Sequence, residues 1–247
     1  MTQNNLPANT RPQALSKSHQ LGQSRVVNID PVLYGIGQLI YVNIPKNASS
    51  WISLQFNQGI NRDAENINYY DIVDLTQCQF IVILRDPLDR WIAGMTQMIY
   101  TEPDQHFGHI LGRPGVLTKR VAMINPMYID TFDWELVMEK IEYDNHTQKQ
   151  VDFIHGIPQD RIVWLKFDSQ LKDNFANLML SYGCDVEIKK SDKDNITPKD
   201  SAKHAVMDKI VSKLDQHTKY RQKIIDHYHE DYALINSVKF YKNNDTR

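Results

Sequence analysis

Residues Gln79 to Leu84 read QFIVIL and run directly into Arg85, Asp86 and Pro87. An apolar run without polar alternation does not suit a strand with one wet face. It suits a strand covered on both faces, as in a parallel sheet. Its end is sharp: Asp86 is suited to cap free amides, and Pro87 is tolerated at a first helical position, where its missing N–H has no intrahelical partner to lose. Trp91, Ile92, Met95 and Ile99 then recur at helical spacing. A doubly covered strand needs helices on both sides, so this segment predicts an α/β architecture.

Other segments repeat the pattern. GQLIYVNI, from Gly37 to Ile44, is a β-branched apolar run that stops at Pro45, and Ala48, Trp51, Ile52 and Leu54 follow with the spacing of a helix that buries one face. RIVWLKF, from Arg161 to Phe167, is a third strand candidate, with a helix expected from Asp168 to Tyr182. Thr197-Pro198 is expected to open a further helix, and a last helix is expected from about Tyr220 to Val238, with Ile224, Tyr228, Tyr232 and Ile235 on one stripe. The expected fold is an open, mainly parallel sheet flanked by helices. Residues 1–25 are too polar to repay the entropy of ordering and are expected to form a flexible arm, leaving residues 26–247 as a single domain. The stretch from Tyr100 to Tyr128, with Pro103, Gly108, Gly112, Pro114, Gly115 and Pro126, reads as a long irregular excursion.

Charge and cysteine content narrow the function classes. With 28 basic and 30 acidic residues the formal charge is −2, so no global positive field recommends nucleic acid as a partner. Cys78 and Cys184 are too few for a disulfide scaffold or a thiolate zinc site and fit a reducing, cytoplasmic setting. The N-terminal residues lack the apolar run of a signal peptide, and no segment offers the roughly 20 apolar residues that a membrane span requires.

Ligands of open α/β sheets bind beyond the carboxyl ends of the strands, where free amides at helix starts favour anions. IPKNASSW, Ile44 to Trp51, occupies such a place. Amides from Asn47 to Ser50 would face an anion, Ser49 and Ser50 add hydroxyls, and Lys46 adds a point charge. The plainer alternative is an ordinary strand–turn–helix in which Lys46 is solvated and the serines only cap. A Walker A loop would read GxxxxGK[ST], and Asn47 follows the lysine here without a preceding glycine pair, which disfavours ATP.

PKNASSW resembles the 5'-phosphosulfate loop of sulfotransferases that use 3'-phosphoadenosine 5'-phosphosulfate (PAPS). FIVILRDPLDRW, Phe80 to Trp91, resembles the 3'-phosphate element of the same family, a strand ending in Arg-Asp-Pro-x-x-Arg. Weaker similarity to the carbohydrate-type branch runs through DNHTQKQ (Asp144 to Gln150) and the closing helix, so the likeness covers about residues 38–238. The resemblance implies a P-loop NTPase-like sulfotransferase fold, PAPS as donor and PAP as product, with no metal demanded. Lys46, Asn47, Ala48, Ser49, Ser50 and Trp51 would then bind the 5' side and Arg85 the 3'-phosphate, for which a guanidinium fork is well matched. The family commonly has a serine on the 3'-phosphate at the position that Ala93 occupies here; Thr96, further along the helix, is a candidate substitute. Arg90, on the first helical turn, is expected to pair with Asp86 or Asp89.

In-line sulfuryl transfer to a hydroxyl or amine needs a general base within hydrogen-bond reach of the acceptor. Between Trp51 and Gln79 the chain has no histidine; Glu65, Asp71 and Asp74 are the acidic candidates, with Asp74 nearest a strand start. His146 and His106 are the histidine candidates. His106 with His109 is a weak zinc signal, and His227, His229, Glu230 and Asp231 read as a solvated face. The expectation is an enzyme acting on a carbohydrate or other small acceptor. Alternatives are a PAP- or glycan-binding module without catalysis, suggested by Ala93, and an ATP-dependent small-molecule kinase.

Overall fold

In the computed structural model, which describes residues 33–36, 39–56, 65–67, 78–101, 129–130, 132–184, 187 and 201–242, the expected α/β sheet is present. Strands β1 (Leu33–Ile36), β2 (Leu39–Val42), β3 (Glu65–Ile67), β4 (Gln79–Leu84) and β5 (Ile162–Lys166) form one open sheet in the order β3-β1-β2-β4-β5. Strands β2, β4 and β5 are parallel, whereas β1 pairs antiparallel with both β2 and β3. The parallel character expected for the sheet therefore holds for its three-stranded half. The arm of residues 1–25, Asp71, Asp74, His106, His109, Thr197, Pro198 and residues 102–128 of the excursion lie outside the described residues, as does the side chain of Glu65.

Strand β4 is the centre of the parallel half, and its side chains serve two cores. Ile81 and Ile83 point with Leu39, Tyr41 and Leu165 toward α1 (Ser49–Leu54), where Trp51 and Ile52 lie, and toward Phe175, Leu178 and Met179 of α5 (Leu171–Ser181). Phe80, Val82 and Leu84 join Ile40, Val42, Ile162 and Trp164 on the opposite face, against Phe153 of α4 (Gln150–Phe153) and Leu234 of α8 (His229–Ser237). Burial on both faces is the physical reason this strand carries no polar alternation.

A third apolar cluster lies among helices. Trp91, Ile92, Met95, Met98 and Ile99 of α2 (Pro87–Thr101) meet Trp134, Val137 and Met138 of α3 (Trp134–Glu139), Val206, Ile210 and Leu214 of α6 (Ala202–Gln216), and Tyr220 and Ile224 of α7 (Thr218–His227). The helix starts follow the chemistry of their caps. Asp86 accepts from the Asp89 amide at 3.0 Å, Asp133 accepts from the amides of Glu135 and Leu136, and Ser201 accepts from the His204 amide.

The single helix expected from Tyr220 to Val238 is two, α7 and α8, which meet at Tyr228. The Tyr228 ring is buried, and its hydroxyl donates to the Thr147 carbonyl. That anchor fixes the junction between the helices against the turn that precedes α4.

Candidate functional site

The chain leaves β2 at Val42, turns through Pro45–Ala48 and enters α1 at Ser49. Two residues of this turn, Lys46 (φ 69°) and Ala48 (φ 63°), hold left-handed backbone although neither is glycine. Such conformations cost free energy and persist only where the surroundings over-determine them. Here the surroundings are cationic and amide side chains. The Lys46 carbonyl accepts from Arg85 Nη1 at 3.1 Å, and the Pro45 carbonyl accepts from Arg90 Nε at 3.0 Å. Asn47 is fully buried and donates through Nδ2 to the Ile83 carbonyl at 2.7 Å and to Gln150 Oε1 at 2.6 Å.

Arg85 emerges from the tip of β4, so the two sequence motifs meet at one end of the parallel strands. Its guanidinium lies 4.7 Å from the centroid of the Phe167 ring at the tip of β5. Among the described residues it makes no side-chain hydrogen bond beyond the one to Lys46. Desolvation lowers its pKa from the ordinary value, partly offset by the carboxylates of Asp89 and Asp86.

Arg90 does not pair with Asp86 or Asp89 as expected. It is 1 % exposed and donates to three carbonyls, those of Pro45, Asn145 and Gln148. It thus ties the Lys46 loop to the turn Asp144–Gln148, because a guanidinium presents its donors as a rigid fork. Burial lowers its pKa to about 10, offset in part by Tyr228 and Asp231.

Lys46 reaches across the loop to α2, where Nζ donates to Gln97 Oε1 at 3.3 Å. Burial first, and then the neighbouring charge of Lys203, lower its pKa to about 8 against the opposing effect of Asp144. Ala93 lies on the same helical face one turn earlier, half-buried. Thr96, weighed as the substitute for the absent serine, points elsewhere: it is 2 % exposed and its hydroxyl donates to the Ile92 carbonyl. The polar group that α2 presents to Lys46 is Gln97, which the sequence reading missed.

The other motif residues divide into exposed and buried groups. Ser49 is half-buried and Ser50 exposed, and among the described residues neither hydroxyl has a partner. The Asn47 amide is used within the turn, donating to the Ile44 carbonyl. The Trp51 indole belongs to the core beneath α1, with its ring centroid 5.5 Å from that of Phe175.

His146 sits in the turn that Arg90 holds. Its Nδ1 lies 2.7 Å from Asp144 Oδ2, and its amide donates to Asp144 Oδ1 at 2.8 Å. This contact fixes the ring and leaves Nε2 as the nitrogen able to exchange a proton with a ligand. The turn is pressed against α2 at Gly94, where a Cβ atom would come within 2.6 Å of the His146 carbonyl oxygen. Asp231, expected on a solvated face, is instead fully buried; it accepts from the amides of Gln150 at 2.8 Å and Val151 at 2.9 Å at the start of α4. Nearby, the exposed Glu230 pairs with Lys149, and the half-buried His227 pairs with Glu142.

The arrangement gathers Lys46, Arg85, Arg90 and Lys203 where the loop meets the tip of β4, with Asp144 beside them. Asp86 and Asp89 act on Arg85 and Asp231 acts on Arg90, whereas the Lys46 and Lys203 ammonium groups both donate to the neutral Gln97 oxygen, an arrangement that suits an anionic ligand. No family model matches the chain, and searches of curated proteins and of solved structures return no match.

Proposed function

We propose that this chain is a sulfotransferase that moves a sulfuryl group from PAPS to a hydroxyl of a carbohydrate or other small acceptor. The observation that carries the reading is the junction of its two motifs, the Arg85 guanidinium on the carbonyl of Lys46. A nucleotide with phosphate on both its 3' and 5' sides needs cations at two points, and a strand-tip guanidinium beside a loop ammonium supplies them.

PAPS would supply an activated sulfuryl group. The Lys46 ammonium would meet the charge that grows on the bridging oxygen as its bond to sulfur breaks, and the hydroxyls of Ser49 and Ser50, without partners among the described residues, would donate to the same anion. His146 would take the acceptor proton at Nε2 while Asp144 holds Nδ1 and stabilises the imidazolium that results. Asp74, the other candidate base, lies outside the described residues.

Calorimetric titration with PAP and with ATP, on the wild type and on Lys46→Ala and Arg85→Ala, tests this reading. PAP is expected to bind, ATP to bind much more weakly, and loss of Arg85 to cost about 2 kcal/mol or more of binding free energy. Equal affinity in all three proteins removes the assignment. A second reading, a PAP- or glycan-binding module without turnover, is favoured by Ala93 at the position of the usual serine; PAP binding without transfer of labelled sulfate from PAPS to any acceptor would support it.

A further inference from the structure

Lys46 is not the only ammonium at this site. Lys203, on the first turn of α6, donates through Nζ to Gln97 Oε1 at 2.7 Å, the same oxygen that accepts from Lys46 at 3.3 Å. The two ammonium groups therefore stand within about 6 Å of each other, bridged by one neutral amide. The amide is oriented for this role. Its Nε2 donates to Thr101 Oγ1 at 3.3 Å, and the Thr101 hydroxyl donates to the Gln97 carbonyl, which turns Oε1 toward the lysines.

An amide oxygen carries no net charge and does not neutralise two cations. Asp144 acts on Lys46 from the other side, but Arg85 and Arg90 add positive charge to the same neighbourhood. Both lysines are partly desolvated, which makes their mutual repulsion harder to screen. His204, beside Lys203 in sequence, faces Asp208 on its own helix. Among the described residues no carboxylate pairs with either ammonium group, and the counterpart that suits them is a compact group with at least two anionic oxygens.

We propose that Lys203 is a second cationic ligand for the anion that Lys46 binds, with Gln97 holding both ammonium groups until that anion displaces it. The inference rests on the proposed function for the identity of the anion, the 5'-phosphosulfate of the donor and the 5'-phosphate of PAP. It assigns to α6, which carries none of the motif residues, a direct part in donor binding.

The test compares three probes on the wild type, Lys203→Ala and Lys203→Arg, with far-ultraviolet circular dichroism and thermal melting to verify folding. The probes are PAP, adenosine 3'-monophosphate, which lacks the 5' group, and inorganic pyrophosphate, which lacks the nucleoside. Lys203→Ala is expected to weaken PAP and pyrophosphate at least about tenfold and to leave adenosine 3'-monophosphate unchanged, with Lys203→Arg restoring most of the loss. Unchanged PAP affinity in Lys203→Ala overturns the inference and leaves the sulfotransferase reading standing. Equal weakening of PAP and adenosine 3'-monophosphate overturns it as well, since Lys203 would then support the fold rather than the 5' anion. A wild type that binds pyrophosphate through Lys203 but not PAP supports the shared-anion site and removes the nucleotide reading.

Discussion

Asn47 donates through Nδ2 to Gln150 Oε1 at 2.6 Å, joining the strained loop after β2 to the first residue of α4, 103 positions away. The same Gln150 amide accepts from the Arg85 N–H at 3.0 Å and donates to the Arg85 carbonyl at 2.9 Å. One buried side chain therefore continues the ladder of β4 past its last residue and sets where the Arg85 guanidinium starts. Asp231 in turn accepts from the Gln150 backbone, so the end of the sheet is held from α8.

Replacing Gln150 with leucine keeps the volume and removes every one of these side-chain bonds. The N–H and carbonyl of Arg85 and the Asn47 amide would lose partners inside the protein, at about 1 kcal/mol or more each. Chemical denaturation is expected to show a loss of roughly 2 to 4 kcal/mol, with PAP affinity falling as Arg85 is released. A variant as stable as the wild type would show that the network does not hold the loop.

Gly94 faces the His146 carbonyl with no room for a methyl group. In an open helix Gly→Ala gains up to about 1 kcal/mol. Here Gly94→Ala is expected instead to lose roughly 1 to 3 kcal/mol, because either α2 or the Asp144–Gln148 turn must move. The turn carries His146, so sulfuryl transfer is expected to fall more than PAP binding. An alanine variant with a raised melting temperature would refute the close packing.

Arg90→Met tests the buried guanidinium. Three carbonyls would lose a charged donor at a site where water does not replace it, and the loss is expected to be about 3 kcal/mol, read from the denaturation midpoint. A surface ion pair of the kind the sequence suggested would cost no more than about 1 kcal/mol.

Arg90 also marks how far the sequence could be read. The strand of Gln79–Leu84, its capped exit and the strand–loop–helix at Lys46 are local patterns, and each was legible because its neighbours in sequence are its neighbours in space. Gln150, Gln97 and Lys203 act through partners tens of residues away, and no local periodicity or cap marks those roles. Asp231 did leave one signal: it lies three residues after Tyr228, on the buried stripe of its helix, where a carboxylate needs a partner. The surrounding His227, His229 and Glu230 masked it, because composition in a short window reports the average face. The strands β1 and β3 escaped for a related reason, since four-residue and three-residue segments give too little periodicity to register.

Lys46 yields a prediction whose sign follows from linkage. Its pKa is 10.5 when unfolded and about 8 in the folded protein, chiefly through burial. Below about pH 8 both states are protonated, and the folded state bears the cost of a desolvated ammonium. Between about 8 and 10.5 the unfolded chain binds more protons, so stability rises with pH in that window. Lys46→Met is therefore expected to be more stable than the wild type at pH 7, by on the order of 1 to 2 kcal/mol, since residual water screens part of the cost. That advantage should shrink as pH climbs through the window, because the wild type loses the charge that the variant never had. Lys203 is also shifted down by burial, so some alkaline rise will persist in the variant. The ligand side runs the opposite way: PAP affinity of the wild type should fall as pH rises through about 8, as the ammonium that meets the anion deprotonates, and the fall should be shallower in Lys46→Met. Denaturation midpoints and PAP titrations across this range check both halves. A variant less stable than the wild type at pH 7, with an unchanged PAP profile, would mean that the Lys46 ammonium is a structural cation and that the anion lies elsewhere.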